Sequence, residues 1–254
     1  MYVLSKEEMP QIAPLFAGSE ETMILSCLQG IMGSAVAGRL PEPRCARIDV
    51  GDFSFVSGDP GTDEAAALVL ESRPLLVPLQ PDWETVIRTS CPDARPFQRY
   101  AIKKEPDVFD RQRLRAFAET VPEGYRVMPM DEELFGRCRE LPWAMDFCSL
   151  FDSWSDFAQI GLGWLALKDG ELAAGASSYS VYREGIEIQI ETAPEHRRRG
   201  LALCCGARLI LSCLERGLYP SWDAANLISV ELAEKLGYHL KGSYVTWKMR
   251  EVRP

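Results

Sequence analysis

The chain has 254 residues, 46% hydrophobic and 26% charged, with a formal net charge of −9. That is ordinary globular composition, and the length suffices for one large domain or two small ones. The negative charge argues against general binding to nucleic acid or to an anionic membrane, and it suits a cationic acceptor such as an amine. No apolar run approaches the ~20 residues that span a bilayer. The first residues, Met1 to Glu8, lack the basic-then-apolar order of a signal peptide, so a cytoplasmic location is expected. The eight cysteines are scattered without a C-x-x-C pair and read as reduced, half-buried thiols. Two histidines and no ligand spacing give no reason to expect a metal site.

In chain order, Ser5-x-x-Glu8 is a capping box for a first helix to about Phe16. Glu21 to Gly33 reads as a second helix, with Met23, Leu25, Leu28 and Met32 apolar. Cys45 to Val50 and Phe53 to Ser57 read as strands around the Gly51-Asp52 turn, and Gly58-Asp59-Pro60-Gly61 is a further turn. Short elements follow: a helix Glu64 to Glu71, a strand Leu75 to Val77, a helix Asp82 to Arg88, a strand Gln98 to Lys103 and a helix Asp110 to Glu119. Val121-Pro122-Glu123-Gly124 then marks a boundary between an α/β N-terminal domain, residues 1–124, and a second domain, residues 125–254.

The second half opens with a strand Tyr125 to Met130 and a helix Asp131 to Glu140, closed by Pro142. A short helix Ser153 to Ile160 precedes a three-stranded meander that turns at Lys168-Asp169-Gly170 and at Arg183-Glu184-Gly185. Its last strand alternates strictly, with Ile186, Ile188 and Ile190 on one face and Glu187, Gln189 and Glu191 on the other. Thr192, Ala193 and Pro194 end it. Glu195-His196-Arg197-Arg198-Arg199-Gly200-Leu201-Ala202 leads into a helix whose Leu203, Ala207, Ile210 and Leu214 share one face. A helix start has free backbone N–H groups and a partial positive charge, and Gly200 and Ala202 leave room beside them, so this turn is a candidate anion site. A strand Ser221 to Ala224, a helix Leu227 to Leu236 ended by Gly237, and strands Tyr238 to Gly242 and Tyr244 to Met249 complete the chain.

Arg197-x-x-Gly200-x-Ala202 resembles the (Gln/Arg)-x-x-Gly-x-(Gly/Ala) motif of the GNAT superfamily of acyl-CoA N-acyltransferases. Asn226-Leu227-Ile228-Ser229, followed by Leu232 to Tyr238, is similar to a second block of that family. Through Trp154 to Phe157, Ile188 to Ala202 and Trp222 to Ala224, the chain also resembles a branch with a long N-terminal half, that of the zwittermicin A self-resistance acetyltransferase. The resemblance implies a mixed central sheet flanked by helices, splayed between its fourth and fifth strands, with acetyl-CoA in the split. It implies that the Pro194 to Ala202 loop holds the pyrophosphate through backbone amides, with Arg197, Arg199, Gly200, Leu201 and Ala202 contributing. Ile190, Glu191 and Thr192 would contact the pantetheine arm, and Asn226 and Ser229 would lie on the cofactor side. Asn226 also reads as the cap of its own helix. The implied partner is a small-molecule amine; a homodimer stays open.

An ammonium must lose a proton before it attacks a thioester, and a carboxylate is a suitable base. Glu187 and Glu191 share a strand face with their Cα atoms ~13 Å apart, too far to share one proton. Glu191, nearer the loop, is expected to be the base, with Glu187 beside it in the catalytic set. Many members of the family carry a tyrosine acid where this chain has Ala233, which leaves Tyr238 or Tyr244 as substitutes, or protonation of the thiolate by the ammonium or by solvent. A non-catalytic acyl-CoA-binding module is the alternative.

Overall fold

The computed structural model describes residues 1–249. The described residues divide into two compact units: Met1–Arg99 together with residues 243–249, and Tyr100–Gly242. The turn at Val121 to Gly124 is therefore internal to the second unit. The reason is the helix Arg111–Glu119, whose Leu114 and Ala118 are buried. The Ala118 carbonyl accepts the Arg208 Nε–H at 3.0 Å, which ties that helix to the one carrying Arg208.

In the first unit, β1 (Tyr2–Val3), β2 (Ser34–Ala37), β3 (Cys45–Val50) and β4 (Phe53–Gly58) form an antiparallel run. Helices α1 (Met9–Ile12) and α2 (Thr22–Leu28) precede β2. Helix α3 (Ala65–Leu70) crosses to β5 (Leu75–Pro78), which pairs parallel to β4. Helix α4 (Trp83–Ser90) follows, and then β6 (Arg95–Ile102). Both β3 and β4 are buried along nearly their whole length. The two charges in β3 neutralise each other, Arg47 Nε meeting Asp49 Oδ1 at 2.9 Å. The second predicted helix stops early, at Leu28. Ile31 N–H bonds the Ser26 carbonyl at 3.0 Å and Gly30 N–H bonds the Cys27 carbonyl at 2.9 Å, a Schellman closure that frees Ser34 to enter the sheet.

In the second unit, α5 (Arg111–Glu119) leads to β7 (Tyr125–Pro129), α6 (Glu132–Glu140) and α7 (Trp154–Ile160). Asp131 caps α6 and Ser153 caps α7, their side chains accepting from Leu134 N–H and Asp156 N–H. Strands β8 (Gly163–Lys168), β9 (Glu171–Tyr182) and β10 (Gly185–Thr192) continue antiparallel from β7. Helix α8 (Leu201–Glu215) crosses over to β11 (Tyr219–Ser221), which pairs parallel to β10. Then come β12 (Asp223–Ala224), α9 (Leu227–Leu236) and β13 (Leu240–Lys248). The two predicted closing strands are one, β13, which runs through Gly242. This is the mixed α/β architecture that the sequence leads one to expect.

Candidate active site

The site is built on β10. Its isoleucine face is covered by α8, where a Cβ on Gly206 would meet Ile190 Cδ1 at 2.9 Å. The opposite face carries Glu187, Gln189 and Glu191. Opposite the step from Glu187 to Ile188, β9 takes one extra residue, because Glu187 pairs with Ser180 and Ile188 with Ser178. Such a bulge bends a pair locally and re-aims its side chains.

On the other side, β10 pairs with β11 only at Gly185, Ile186 and Glu187, whose partners are Tyr219, Pro220 and Ser221. Beyond Glu187 the two strands part while β10 runs on to Thr192. Ala193 N–H bonds the Ala173 carbonyl of β9, so by alternation Ile188, Ile190 and Thr192 turn their backbone groups to the edge that β11 leaves. Glu191 turns its own toward β9.

Glu187 sits at the apex of this split and is 5% exposed. Its Oε1 accepts the Asp223 N–H at 2.6 Å. Beside it, Tyr182 Oη and Ser221 Oγ are 3.0 Å apart. Burial pushes the Tyr182 hydroxyl up to about 12; the Ser221 bond opposes this and the Glu187 charge adds to it. Nothing in the sequence marks this cluster, because it depends on where β10 and β11 separate.

Glu191 has a different setting. Its side chain is 38% exposed, and Oε1 meets Arg197 Nη2 at 3.2 Å. The same Oε1 accepts the Thr192 N–H at 3.1 Å, while Arg197 Nε–H donates to the Thr192 carbonyl at 3.1 Å. Arg197 thus fastens the turn to the end of β10. His196 Nδ1 lies 2.8 Å from Tyr125 Oη, a second anchor that the motif does not contain.

The turn ends at the uncapped start of the 15-residue helix α8. Arg198 (φ 59°) and Gly200 (φ 85°) are both left-handed. Successive amides around such residues face one concavity, where anions bind. The left-handed backbone favours glycine at position 200; a Cβ there would meet nothing within 4 Å. Arg197, Arg198, Arg199 and Gly200 are all exposed, and Leu201 and Ala202 open the helix. Open amides, positive charge and space fit a pyrophosphate.

On α9, Asn226 is the N-cap, its Oδ1 accepting the Ser229 N–H at 3.0 Å. Ser229 Oγ accepts the Trp222 Nε1–H at 3.1 Å. Ala233 is fully buried. Tyr238 is buried as well, its hydroxyl donates to the Pro220 carbonyl at 2.7 Å, and burial holds its pKa well above 10.0. It is tied down and does not replace the tyrosine missing at Ala233. His239 Nδ1 pairs with Glu105 Oε2 at 2.6 Å on the surface. Among the described residues no group of three or more His, Cys, Asp or Glu is placed to hold a metal ion. No described helix is long and apolar enough to cross a membrane.

The sequence pattern of a GNAT acetyltransferase matches residues 13–247. An N-acetyltransferase of Bacillus subtilis strain 168, YdfB, named as uncharacterized, is 27% identical over 168 residues, which is 65% of this chain and 62% of that protein. The chain thus matches less than two thirds of the length of that curated relative. A GCN5-related N-acetyltransferase-like protein from Streptococcus suis 89/1591 is 37% identical, with a TM-score of 0.90 over 96% of this chain and 99% of that one. A GCN5-related N-acetyltransferase from Sphaerobacter thermophilus shares the fold at 15% identity, with a TM-score of 0.61 over 100% of this chain and 96% of that one. The chain belongs to the GNAT acetyltransferase family, and membership implies acetyl-CoA as its co-substrate.

Proposed function

We propose that the protein transfers an acetyl group from acetyl-CoA to a primary amine of a small molecule. One observation carries the reading: beyond Glu187, β10 keeps an edge that β11 does not cover, and this edge runs to an uncapped helix start beside three arginines. Bound acetyl-CoA supplies an acetyl thioester. In this reading the amides of Gly200, Leu201 and Ala202 hold its pyrophosphate, with charge from Arg197 and Arg199. Ile190 offers backbone groups to the pantetheine arm, whereas Thr192 already bonds Glu191 and Arg197 through its N–H and carbonyl. Asn226 and Ser229 act on the cofactor side through the helix start that they fix.

Glu187, rather than Glu191, accepts the proton of the amine. Glu187 is 5% exposed, whereas the Glu191 side chain is 38% exposed and paired with Arg197. Glu191 orders the loop. The charge of −9 favours a cationic acceptor. The resemblance to the zwittermicin A self-resistance branch adds an amino-containing antibiotic or metabolite as the acceptor class.

A non-catalytic acyl-CoA-binding module has one observation behind it, the buried Ala233 at the usual tyrosine position. Against that, a thiolate of pKa about 8.5 leaves without a strong acid. The test is acetyl-CoA turnover against a panel of primary amines, read by free thiol. Turnover with at least one amine supports the enzyme. Tight binding of acetyl-CoA with no turnover across the panel favours the module.

A further inference from the structure

We infer that the first compact unit is a second copy of the same strand and helix arrangement, closed against coenzyme A, so that the chain holds one acetyl-CoA. This rests on the acetyl-CoA reading of the second unit.

The repetition lies in the order of pairing. Strands β1 to β4 run antiparallel, α3 crosses over, and β5 pairs parallel to β4. Strands β7 to β10 run antiparallel, α8 crosses over, and β11 pairs parallel to β10. A helix follows the fifth strand directly in the first unit, α4, and after the two-residue β12 in the second, α9. Each unit then takes an antiparallel strand segment from the other half of the sequence. Trp247 and Lys248 of β13 pair with Leu76 and Leu75, and Ala101 and Tyr100 of β6 pair with Asp223 and Ala224.

The copy differs wherever the ligand would bind. Between β10 and β11 pairing stops at Glu187 and the strand runs on. Between β4 and β5 it continues from Phe53 to Val56, and Leu79 N–H extends it to the Val56 carbonyl at 3.0 Å. No edge is left for a pantetheine arm. Strand β4 carries Ser54, Phe55, Val56 and Ser57, and none of its residues is a carboxylate.

The loops differ in the same sense. At Gly200 there is open space; at Gly58 a Cβ would lie 2.2 Å from the Arg44 carbonyl oxygen. The turn after β4, the counterpart of β10, holds Asp59, Asp63 and Glu64 where the second unit has three arginines. The Asp59 carboxylate accepts the Gly61 N–H at 2.8 Å, so an internal anion occupies a loop amide. Asp59 also pairs with Arg44. Helix α3 has six residues against fifteen in α8. A pyrophosphate brought here would face three carboxylates and a Gly61 amide that Asp59 already holds.

Calorimetric titration of the intact chain with acetyl-CoA tests the inference. One equivalent is expected, lost in Gly200→Trp and weakened about tenfold or more in the double variant Arg197→Glu, Arg199→Glu. The double variant guards against misfolding of the first, and circular dichroism checks both. Two equivalents bound by the wild type, or one equivalent surviving unweakened in both variants, would overturn the inference. No binding by the wild type would overturn the acetyl-CoA reading beneath it as well.

Discussion

The Glu187 carboxylate accepts the backbone N–H of Asp223 at 2.6 Å, at the point where β10 and β11 separate. That bond holds the apex, and Glu187 is the buried carboxylate of the strand face. Glu187→Gln keeps a carbonyl oxygen for Asp223 but removes the base. The account predicts kcat lower by about a hundredfold or more, the usual scale of a general base, with the KM for acetyl-CoA unchanged. Full activity of Glu187→Gln at saturating amine would remove Glu187 from the mechanism.

Glu191→Gln tests the other carboxylate. Its ion pair with Arg197 is half-exposed, and such pairs contribute about 0.2–1 kcal/mol. The expected result is a change in acetyl-CoA affinity of less than about tenfold and an unchanged kcat. A hundredfold fall in kcat, as the sequence alone leads one to expect, would return the base to Glu191.

Asn226 caps α9 through Ser229 N–H, so Asn226→Ala should cost about 1 kcal/mol of stability. Denaturant unfolding measures that cost. An unchanged stability with a raised KM for acetyl-CoA would show a ligand contact instead of a cap.

How far the sequence reaches is clearest along β10. The alternation from Ile186 to Glu191 and the helical face of Leu203, Ala207, Ile210 and Leu214 are local patterns, and both elements stand where those patterns put them. The basic turn, with its glycine before a helix, was legible for the same reason. The choice between Glu187 and Glu191 was not, because burial at Glu187 follows from the length of the β10–β11 pairing. Residue 187 meets Ser221 and residue 191 meets no β11 residue, and no local rule encodes that register. The compact units escaped for a related reason. Trp247 is core to the first unit beside Leu76 and Trp83, although it lies near the opposite end of the chain.

Buried thiols and a buried phenol set an alkaline limit on stability. Burial pushes Cys27, Cys138 and Cys213 from 9.0 to about 12, and Tyr182 from 10.0 to about 12. Above the ordinary values the folded chain still holds protons that the unfolded chain has released. The stability these groups support is fully present below the unfolded values and is lost as the pH rises through the folded ones. The melting temperature should fall steadily over that window. A flat profile would mean that these groups are hydrated in the native state.

The central claim is acetyl transfer at the split between β10 and β11. It is tested most directly by incubating the wild type with acetyl-CoA and a panel of primary amines, then following the acetylated amine by mass spectrometry and the free thiol in the same sample. The account predicts one thiol released for each acetylated amine formed, and both products suppressed together in Gly200→Trp. Thiol release without any acetylated amine, or acetylation that persists at the wild-type rate in Gly200→Trp, would contradict it.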